Sequence, residues 1–220
     1  MYSVAQRPDF RVLDEPLFAH FLQHTGVDRP SREEVLASMP TERPDILPAF
    51  RTDEGHLFLK HMANHLEGWP YDDFAAHQHV ILTRHPRRVL KSYRAHIDQP
   101  TALDLCYHHQ HAWLKHCQEA GWPVAVLDSD RLVANPEKSL TELMQWLGLK
   151  FDPGMLSWAP GPRVEDGVWA KYWYHRVHAS TGWNSHAAVD RSLPELEPQF
   201  NALIEELEPL YVTLSQQAIN

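Results

Sequence analysis

The stretch His79–Tyr93, HVILTRHPRRVLKSY, is the strongest signal of the fold in the sequence. Its first five residues are rich in apolar and β-branched side chains, as in a buried strand, and Pro86 stands where a helix would begin. Ligands of parallel α/β sheets bind at the carboxyl ends of strands, beside helix N-termini whose free N–H groups attract anions. We therefore expect Arg84 to bind an anion, with the Ser92 hydroxyl about two turns into the helix on the same side. The alternative is a helix start whose basic residues are solvated.

Strands followed by helical patterns recur on both sides of this stretch. Further strands are predicted at Phe10–Leu13, His56–Lys60 and Pro123–Leu127. Alternating strands and helices indicate crossover connections and a parallel sheet covered on both faces. We predict one α/β domain over residues 1–220, with three α/β/α layers around a central parallel sheet. Its helices are predicted at Leu17–Thr25, Arg32–Ser38 with Ser31 as cap, Met62–Leu66, Pro86–His96, Ala102–Ala120, Pro136–Leu147 and Leu193–Leu214.

The composition of the chain excludes several classes of protein. No apolar run approaches the roughly 20 residues of a membrane span, and Met1–Arg11 lacks the features of a signal peptide. Cys106 and Cys117 fall about 16 Å apart on one predicted helix, too far for a disulfide, which favours a reducing cytoplasm. The net charge of −9 argues against binding to nucleic acids or acidic membranes.

The 16 histidines raise the question of a metal site. His20/His24 and His61/His65 are pairs at helical spacing, but zinc normally takes three or four ligands. No HExxH motif occurs, and the two cysteines are not near-neighbour ligands. The sequence therefore favours surface or hydrogen-bonded histidines and predicts no metal.

The motif Arg84-His85-Pro86-Arg87, with Ser92 eight residues after Arg84, resembles the 3′-phosphate-binding motif of sulfotransferases. The resemblance implies that Arg84 and Ser92 hold the 3′-phosphate of the donor 3′-phosphoadenosine 5′-phosphosulfate (PAPS). A second segment, Val126–Pro153, resembles the strand, acidic turn and Pro-initiated helix that follow in that family, although Ser129 stands where the family often has a tyrosine.

A third segment, Gly161–Lys171, resembles the glycine-containing loop that closes over the donor in sulfotransferases. The resemblance implies that Arg163, Gly167 and Lys171 contact the donor. The alternative is a tryptophan-rich surface loop that packs on the core.

The chain departs from the family at its start. Sulfotransferases begin with a strand and a glycine-containing loop that binds the 5′-phosphosulfate, whereas the first glycine here is Gly26 and no GxxxxGK[ST] stretch occurs. Met1–Arg7 is typical of the tail of the helix that follows that loop. We expect a chain that lacks the first strand of the sheet and begins after the loop; the alternative is loss of donor binding.

Sulfuryl transfer needs a base for the acceptor proton and a cation for the developing charge. Glu15 follows the Phe10–Leu13 strand and resembles the base of carbohydrate-type sulfotransferases, with Lys60 as the charge stabiliser and His61 as the alternative base. The implied function is metal-free transfer from PAPS to a hydroxyl or amine of a small-molecule acceptor. The alternatives are a non-catalytic nucleotide- or partner-binding protein and a kinase-like phosphotransferase. The acceptor and the oligomeric state stay open, since loops such as Met39–Arg51 would form the acceptor pocket.

Overall fold

The strands of the computed structural model, which describes residues 1–183 and 192–220, form two parallel pairs. Strand β1 (Phe10–Asp14) pairs with β2 (His56–Lys60), and β3 (His79–Thr83) pairs with β4 (Val124–Asp128). The four strands lie within a residue of the predicted bounds. The α/β class with parallel strands is confirmed, although each sheet in the described residues has only two strands.

The helices fill the segments between these strands. They are α1 (Phe18–Thr25), α2 (Arg32–Ser38), α3 (Arg43–Ile46), α4 (Pro86–Tyr93), α5 (Ala102–Leu105), α6 (Tyr107–Ala120), α7 (Ser129–Ala134), α8 (Pro136–Trp146), α9 (Ala170–Trp173), α10 (His175–His178) and α11 (Asn201–Gln216). Short 3₁₀ helices lie at Val4–Gln6, Leu47–Phe50, Ala63–Leu66, Tyr71–Phe74, Pro153–Leu156 and Pro198–Phe200. No helix in the described part of the chain is long and apolar enough to cross a membrane.

The chain folds into two compact units, and the predicted single-domain organisation stays a prediction. The first unit comprises residues 1–73 and 152–183, and the second comprises residues 74–151 with the described residues 192–220. In the first unit, α1 buries the apolar face that its sequence predicts, and Gly26 ends it in the left-handed conformation at φ 69°.

Three helix predictions in the first unit are wrong in detail. Ser31 does not cap α2, because its backbone is left-handed and its hydroxyl donates to the Pro30 carbonyl. The predicted helix Met62–Leu66 is the shorter 3₁₀ helix Ala63–Leu66. Met1–Arg7, predicted as the tail of a helix, contains one 3₁₀ turn.

The second unit corrects two further helix predictions. The helix predicted over Ala102–Ala120 is divided at Cys106, whose left-handed backbone at φ 65° separates α5 from α6. The last helix begins at Asn201 instead of Leu193, because Pro194 and Pro198 disfavour helical backbone in the residues before them. The predicted irregular stretch before it includes residues 184–191, which lie outside the described residues.

His79 lies buried in the second unit between two indole rings. Its ring centroid is 5.1 Å from that of Trp113 and 5.5 Å from that of Trp122. Burial, followed by the charges of the neighbouring His77 and His116, lowers the pKa of His79 to about 4. In the unfolded chain His79 therefore binds a proton below about pH 6.5, whereas in the folded chain it binds one only below about pH 4.

We expect His79→Phe to reduce the loss of stability on acidification. The free energy of unfolding of the wild type decreases as the pH falls from about 6.5 towards 4. The part of this decrease that His79 causes should be absent from the variant. Urea unfolding at about pH 7.5 and about pH 5 measures the difference, with the exposed His56→Phe as the control. An unchanged loss in His79→Phe would contradict this assignment.

Candidate functional site

The register of β1 with β2 places opposite charges at the carboxyl ends of both strands. Asp14 is the register partner of Lys60, and the N–H of Glu15 donates to the Lys60 carbonyl at 2.7 Å. Glu15 has φ 46°, a left-handed backbone that costs a non-glycine residue about 1–3 kcal/mol. The chain thus turns sharply after β1 and keeps two successive carboxylates beside one lysine.

Four side chains bind one another at this edge, and we call Asp14, Glu15, Lys60 and Tyr174 the strand-end cluster. The Lys60 ammonium donates to Glu15 Oε1 and, at 2.8 Å, to the Tyr174 hydroxyl, and lies 3.2 Å from Asp14 Oδ1. The Tyr174 hydroxyl donates to the Asp14 carboxylate, with oxygens at 2.7 and 2.9 Å. The Asp14 and Glu15 side chains are 1% and 8% exposed, so this network is largely shielded from water.

Burial and charge act on the cluster in opposite directions. Burial alone would lower the pKa of Lys60, but Glu15, Tyr174 and Asp14 raise it above its ordinary value. Burial raises the pKa of Asp14, and the Lys60 ammonium opposes that rise. Burial also raises the pKa of Tyr174, with Glu15 adding to the effect, so its hydroxyl keeps its proton. Lys60 is therefore an ammonium ion.

A histidine that was not predicted as a site residue, His65, lies beside Glu15, and His61 as the alternative base stays a prediction. The buried His65 ring stacks on Phe18 at 4.6 Å between centroids, and its Nδ1 lies 3.9 Å from Glu15 Oε2. Burial, followed by the charge of Lys60, lowers the pKa of His65 well below its ordinary value, so the ring is neutral. His61 instead contacts the ring of Phe50, at 6.0 Å between centroids.

Arg84 follows β3 in the second unit, where the sequence predicts it. Its Nε donates to Asp130 Oδ1 at 3.0 Å, and Arg88 Nε lies 3.2 Å from the other carboxylate oxygen. The Arg84 side chain is 40% exposed, so its guanidinium has room for another anion. The Tyr107 hydroxyl donates to the Arg84 carbonyl and fixes the backbone at this junction.

Helix α4 begins beside Arg84 with an unusual cap. The His85 ring Nδ1 accepts a hydrogen bond from the Arg87 N–H at 3.3 Å, and Pro86 occupies the first turn as predicted. Ser92 lies exposed in the last turn of α4. The second unit therefore carries both residues expected to bind the 3′-phosphate, on one strand-to-helix segment.

The loop expected to close over the donor has its cations engaged with carboxylates. Arg163 binds Glu165 through two nitrogens at 3.0 and 3.1 Å, and Lys171 binds the Glu34 carboxylate at 2.6 and 2.8 Å. Trp169 is buried and packs edge-on against Phe18, at 5.4 Å between centroids. Packing of the loop on the core is thus observed, and donor contact by Arg163, Gly167 and Lys171 stays a prediction.

The histidines contribute to aromatic packing in both units. His20 stacks with His24 at 5.7 Å between centroids and contacts Trp69 edge-on at 4.9 Å. Within residues 1–183 and 192–220, no group of three or more His, Cys, Asp or Glu side chains is arranged to hold a metal ion.

Nearly the whole sequence of the chain matches one known protein family. A family description given as "Sulfotransferase domain" matches residues 1–218. The chain belongs to this family. A solved structure, the "Sulfotransferase Domain from the Curacin Biosynthetic Pathway", is similar to this sulfotransferase-family chain with a TM-score of 0.50 and 14% identity. The match covers 90% of this chain and 76% of that chain, and it supports the fold.

Two relatives from Arabidopsis thaliana are more similar in sequence. They are "Branched-chain-amino-acid aminotransferase-like protein 1", 37% identical over 215 residues, and "Branched-chain-amino-acid aminotransferase-like protein 2", 35% identical over 215 residues. Each match covers 96% of this sulfotransferase-family chain and 38% of the relative. The chain therefore spans less than two fifths of the length of these relatives, whose names describe the longer proteins.

Gly167 lies so close to Trp169 that a side chain would not fit. A Cβ built at Gly167 would lie 2.0–2.3 Å from atoms of the buried indole ring. We expect Gly167→Ala to lower the free energy of unfolding by about 1–3 kcal/mol, the usual cost of overpacking. Urea unfolding monitored by tryptophan fluorescence measures this loss.

Gly154→Ala is the matched control, since neither glycine has a left-handed backbone. Its Cβ would meet the Asp152 side chain at 3.1 Å, a much looser contact than the one at Gly167. Equal losses in the two variants would show that the contact with Trp169 is not responsible.

Proposed function

We propose that the chain transfers a sulfuryl group from PAPS to a hydroxyl or amine of a small-molecule acceptor. The observation that carries the proposal is the buried Glu15–Lys60 ion pair at the carboxyl ends of two parallel strands in a sulfotransferase-family chain. Ligands of parallel α/β sheets bind at this edge, and the pair combines a proton acceptor with a cation.

Glu15 would act as the general base. Its carboxylate takes the proton of the acceptor O–H or N–H group while the acceptor atom forms a bond to the sulfur of PAPS. The bond from sulfur to the 5′-phosphate oxygen breaks, and its electron pair leaves on adenosine 3′,5′-bisphosphate. Lys60, in contact with Glu15, supplies a fixed positive charge for the negative charge that develops during the transfer.

The 3′-phosphate of the donor would bind Arg84 and Ser92. The half-exposed guanidinium and the start of α4 suit an anion, because charge-assisted hydrogen bonds to a phosphate are strong. Asp130 is the competing anion, so a phosphate must share Arg84 with it or replace it. Arg163, Gly167 and Lys171 would belong to the loop that closes over the donor. The two free cysteines favour a reducing cytoplasm as the location.

Three alternative functions would give different experimental results. A non-catalytic protein would bind the bisphosphate without transfer, and a kinase-like phosphotransferase would prefer ATP. The names of the plant relatives suggest aminotransferase chemistry, in which a lysine with a lowered pKa forms an imine. Lys60 does not suit that role, since Glu15, Tyr174 and Asp14 outweigh burial and raise its pKa.

Arg84→Ala should weaken the binding of adenosine 3′,5′-bisphosphate. A hydrogen bond to a charged group contributes about 1.5–3 kcal/mol, so we expect the Kd to rise about 10- to 150-fold. Isothermal titration calorimetry on the folded variant measures it. Lys138→Ala removes an exposed cation of the same unit and should leave the Kd near that of wild type. An unchanged Kd in Arg84→Ala, or a wild type that prefers adenosine 5′-monophosphate, would contradict the assignment.

Glu15→Gln should reduce the rate of sulfuryl transfer from PAPS, measured as the formation of sulfated acceptor. The amide keeps the shape of the side chain but takes up no proton, and loss of a general base typically costs roughly 10²–10⁴ in rate. The Kd for the bisphosphate should stay close to that of wild type, because Arg84 and Ser92 are unchanged.

The exposed Glu54→Gln is the matched control for this substitution. A merely structural Glu15 would reduce turnover only in proportion to the loss of folded protein, whereas a general base reduces turnover per folded molecule. Turnover per folded molecule near that of wild type would transfer the role of base to His61 or to another residue.

A further inference from the structure

Lys60 contacts two buried carboxylates, although the proposed reaction uses only Glu15. Asp14 Oδ1 lies 3.2 Å from the Lys60 ammonium nitrogen, and the Asp14 side chain is 1% exposed. The same carboxylate accepts a hydrogen bond from Tyr174, whose oxygen also accepts one from Lys60. Lys60 therefore has two hydrogen-bonding or charged partners besides Glu15.

The need for such partners arises when Glu15 takes a proton. The Glu15–Lys60 ion pair then loses its negative charge, and a buried lysine without a counter-charge loses its proton readily, because burial disfavours the ammonium form. A neutral amine could not stabilise the charge that develops on the donor. With Asp14 ionised, the cluster instead changes from one net negative charge to zero, and Lys60 keeps a counter-charge throughout.

Tyr174 suits this arrangement by its position and its protonation. It lies between α9 and α10, where its ring also faces the Lys60 ammonium at 5.2 Å from the ring centroid. Burial, followed by the charge of Glu15, raises the pKa of Tyr174, so its O–H remains a donor to Asp14. The hydroxyl thus ties the carboxylate and the ammonium into one fixed geometry.

We propose that Asp14 and Tyr174 are positioning residues that hold Lys60 as an ammonium ion while Glu15 gains and loses the acceptor proton. This inference rests on the proposed function, because it assigns a proton to Glu15. The two residues act through Lys60.

The reactivity of Lys60 towards an amine-acylating reagent tests this at neutral pH, since only the neutral amine reacts. Acylation is quantified by mass spectrometry, with the exposed Lys115 as the internal reference. We expect Glu15→Gln to leave Lys60 acylation within about threefold of wild type, because Asp14 still supplies the charge. Glu15→Gln with Asp14→Asn should raise it tenfold or more, since each unit of pKa lowered gives about a tenfold increase in neutral amine.

Controls separate these effects from misfolding. The double variant Glu15→Gln/Glu54→Gln removes two carboxylates, as Glu15→Gln/Asp14→Asn does, but Glu54 is exposed. Its Lys60 acylation should equal that of Glu15→Gln. If the Asp14 double variant does not fold, Glu15→Gln/Tyr174→Phe keeps the aromatic ring and should raise acylation about three- to tenfold. Two results would overturn the inference. One is a rise of tenfold or more in Lys60 acylation in Glu15→Gln alone. The other is no rise in Lys60 acylation when Asp14→Asn or Tyr174→Phe is added to Glu15→Gln in a variant that folds.

Turnover provides a second readout. Tyr174→Phe should lower kcat about tenfold or more, because the hydrogen bonds of the hydroxyl to Asp14 and Lys60 are both lost. The KM for the acceptor should stay nearly unchanged. Acylation does not depend on turnover, so the two proposals fail separately. The expected acylation pattern without sulfated product would refute only the proposed function. Sulfated product with uniform acylation would refute only the role of Asp14 and Tyr174.

Discussion

The contact of the Lys60 ammonium with the carboxylates of Asp14 and Glu15 is the constraint on which the first unit depends. Buried charges are tolerated only when they are paired and hydrogen-bonded, and removing one partner of such a pair costs roughly 3–5 kcal/mol. Three features bring the partners of Lys60 close to it. They are the register of β1 with β2, the left-handed turn at Glu15 and the position of Tyr174. The same pairing places a proton acceptor and a cation at the edge of the sheet where ligands bind.

The second unit handles charge in a different way. Asp130 holds Arg84 and Arg88 by their side chains, but Arg84 stays 40% exposed. A partly exposed ion pair contributes little to stability because water screens it, whereas the shielded pair in the first unit is screened less. In the proposed reaction, Arg84 would bind an anion, and the Glu15–Lys60 pair would supply a base and a fixed positive charge.

Local patterns in the sequence predict the strands and the ends of the strands well. Glu15, Lys60 and Arg84 were predicted at strand ends because alternation, proline and chain direction are local signals, and the structure places all three there. The contact of Tyr174 with Lys60 joins residues 114 positions apart, and no local signal marks it. The position of His65 beside Glu15 involves stacking on Phe18, a tertiary contact that no local signal marks. The break at Cys106 was missed because the flanking residues continue a helical pattern.

Transfer of a radiolabelled sulfuryl group from PAPS to a panel of phenols, alcohols and amines tests the proposed reaction. We expect the wild-type chain to form a labelled acceptor product in a one-to-one ratio with adenosine 3′,5′-bisphosphate. Binding of the bisphosphate without labelled product from any acceptor would contradict the claim and support a non-catalytic binding protein. Transfer of a phosphoryl group from ATP in the same panel would contradict it in favour of a phosphotransferase.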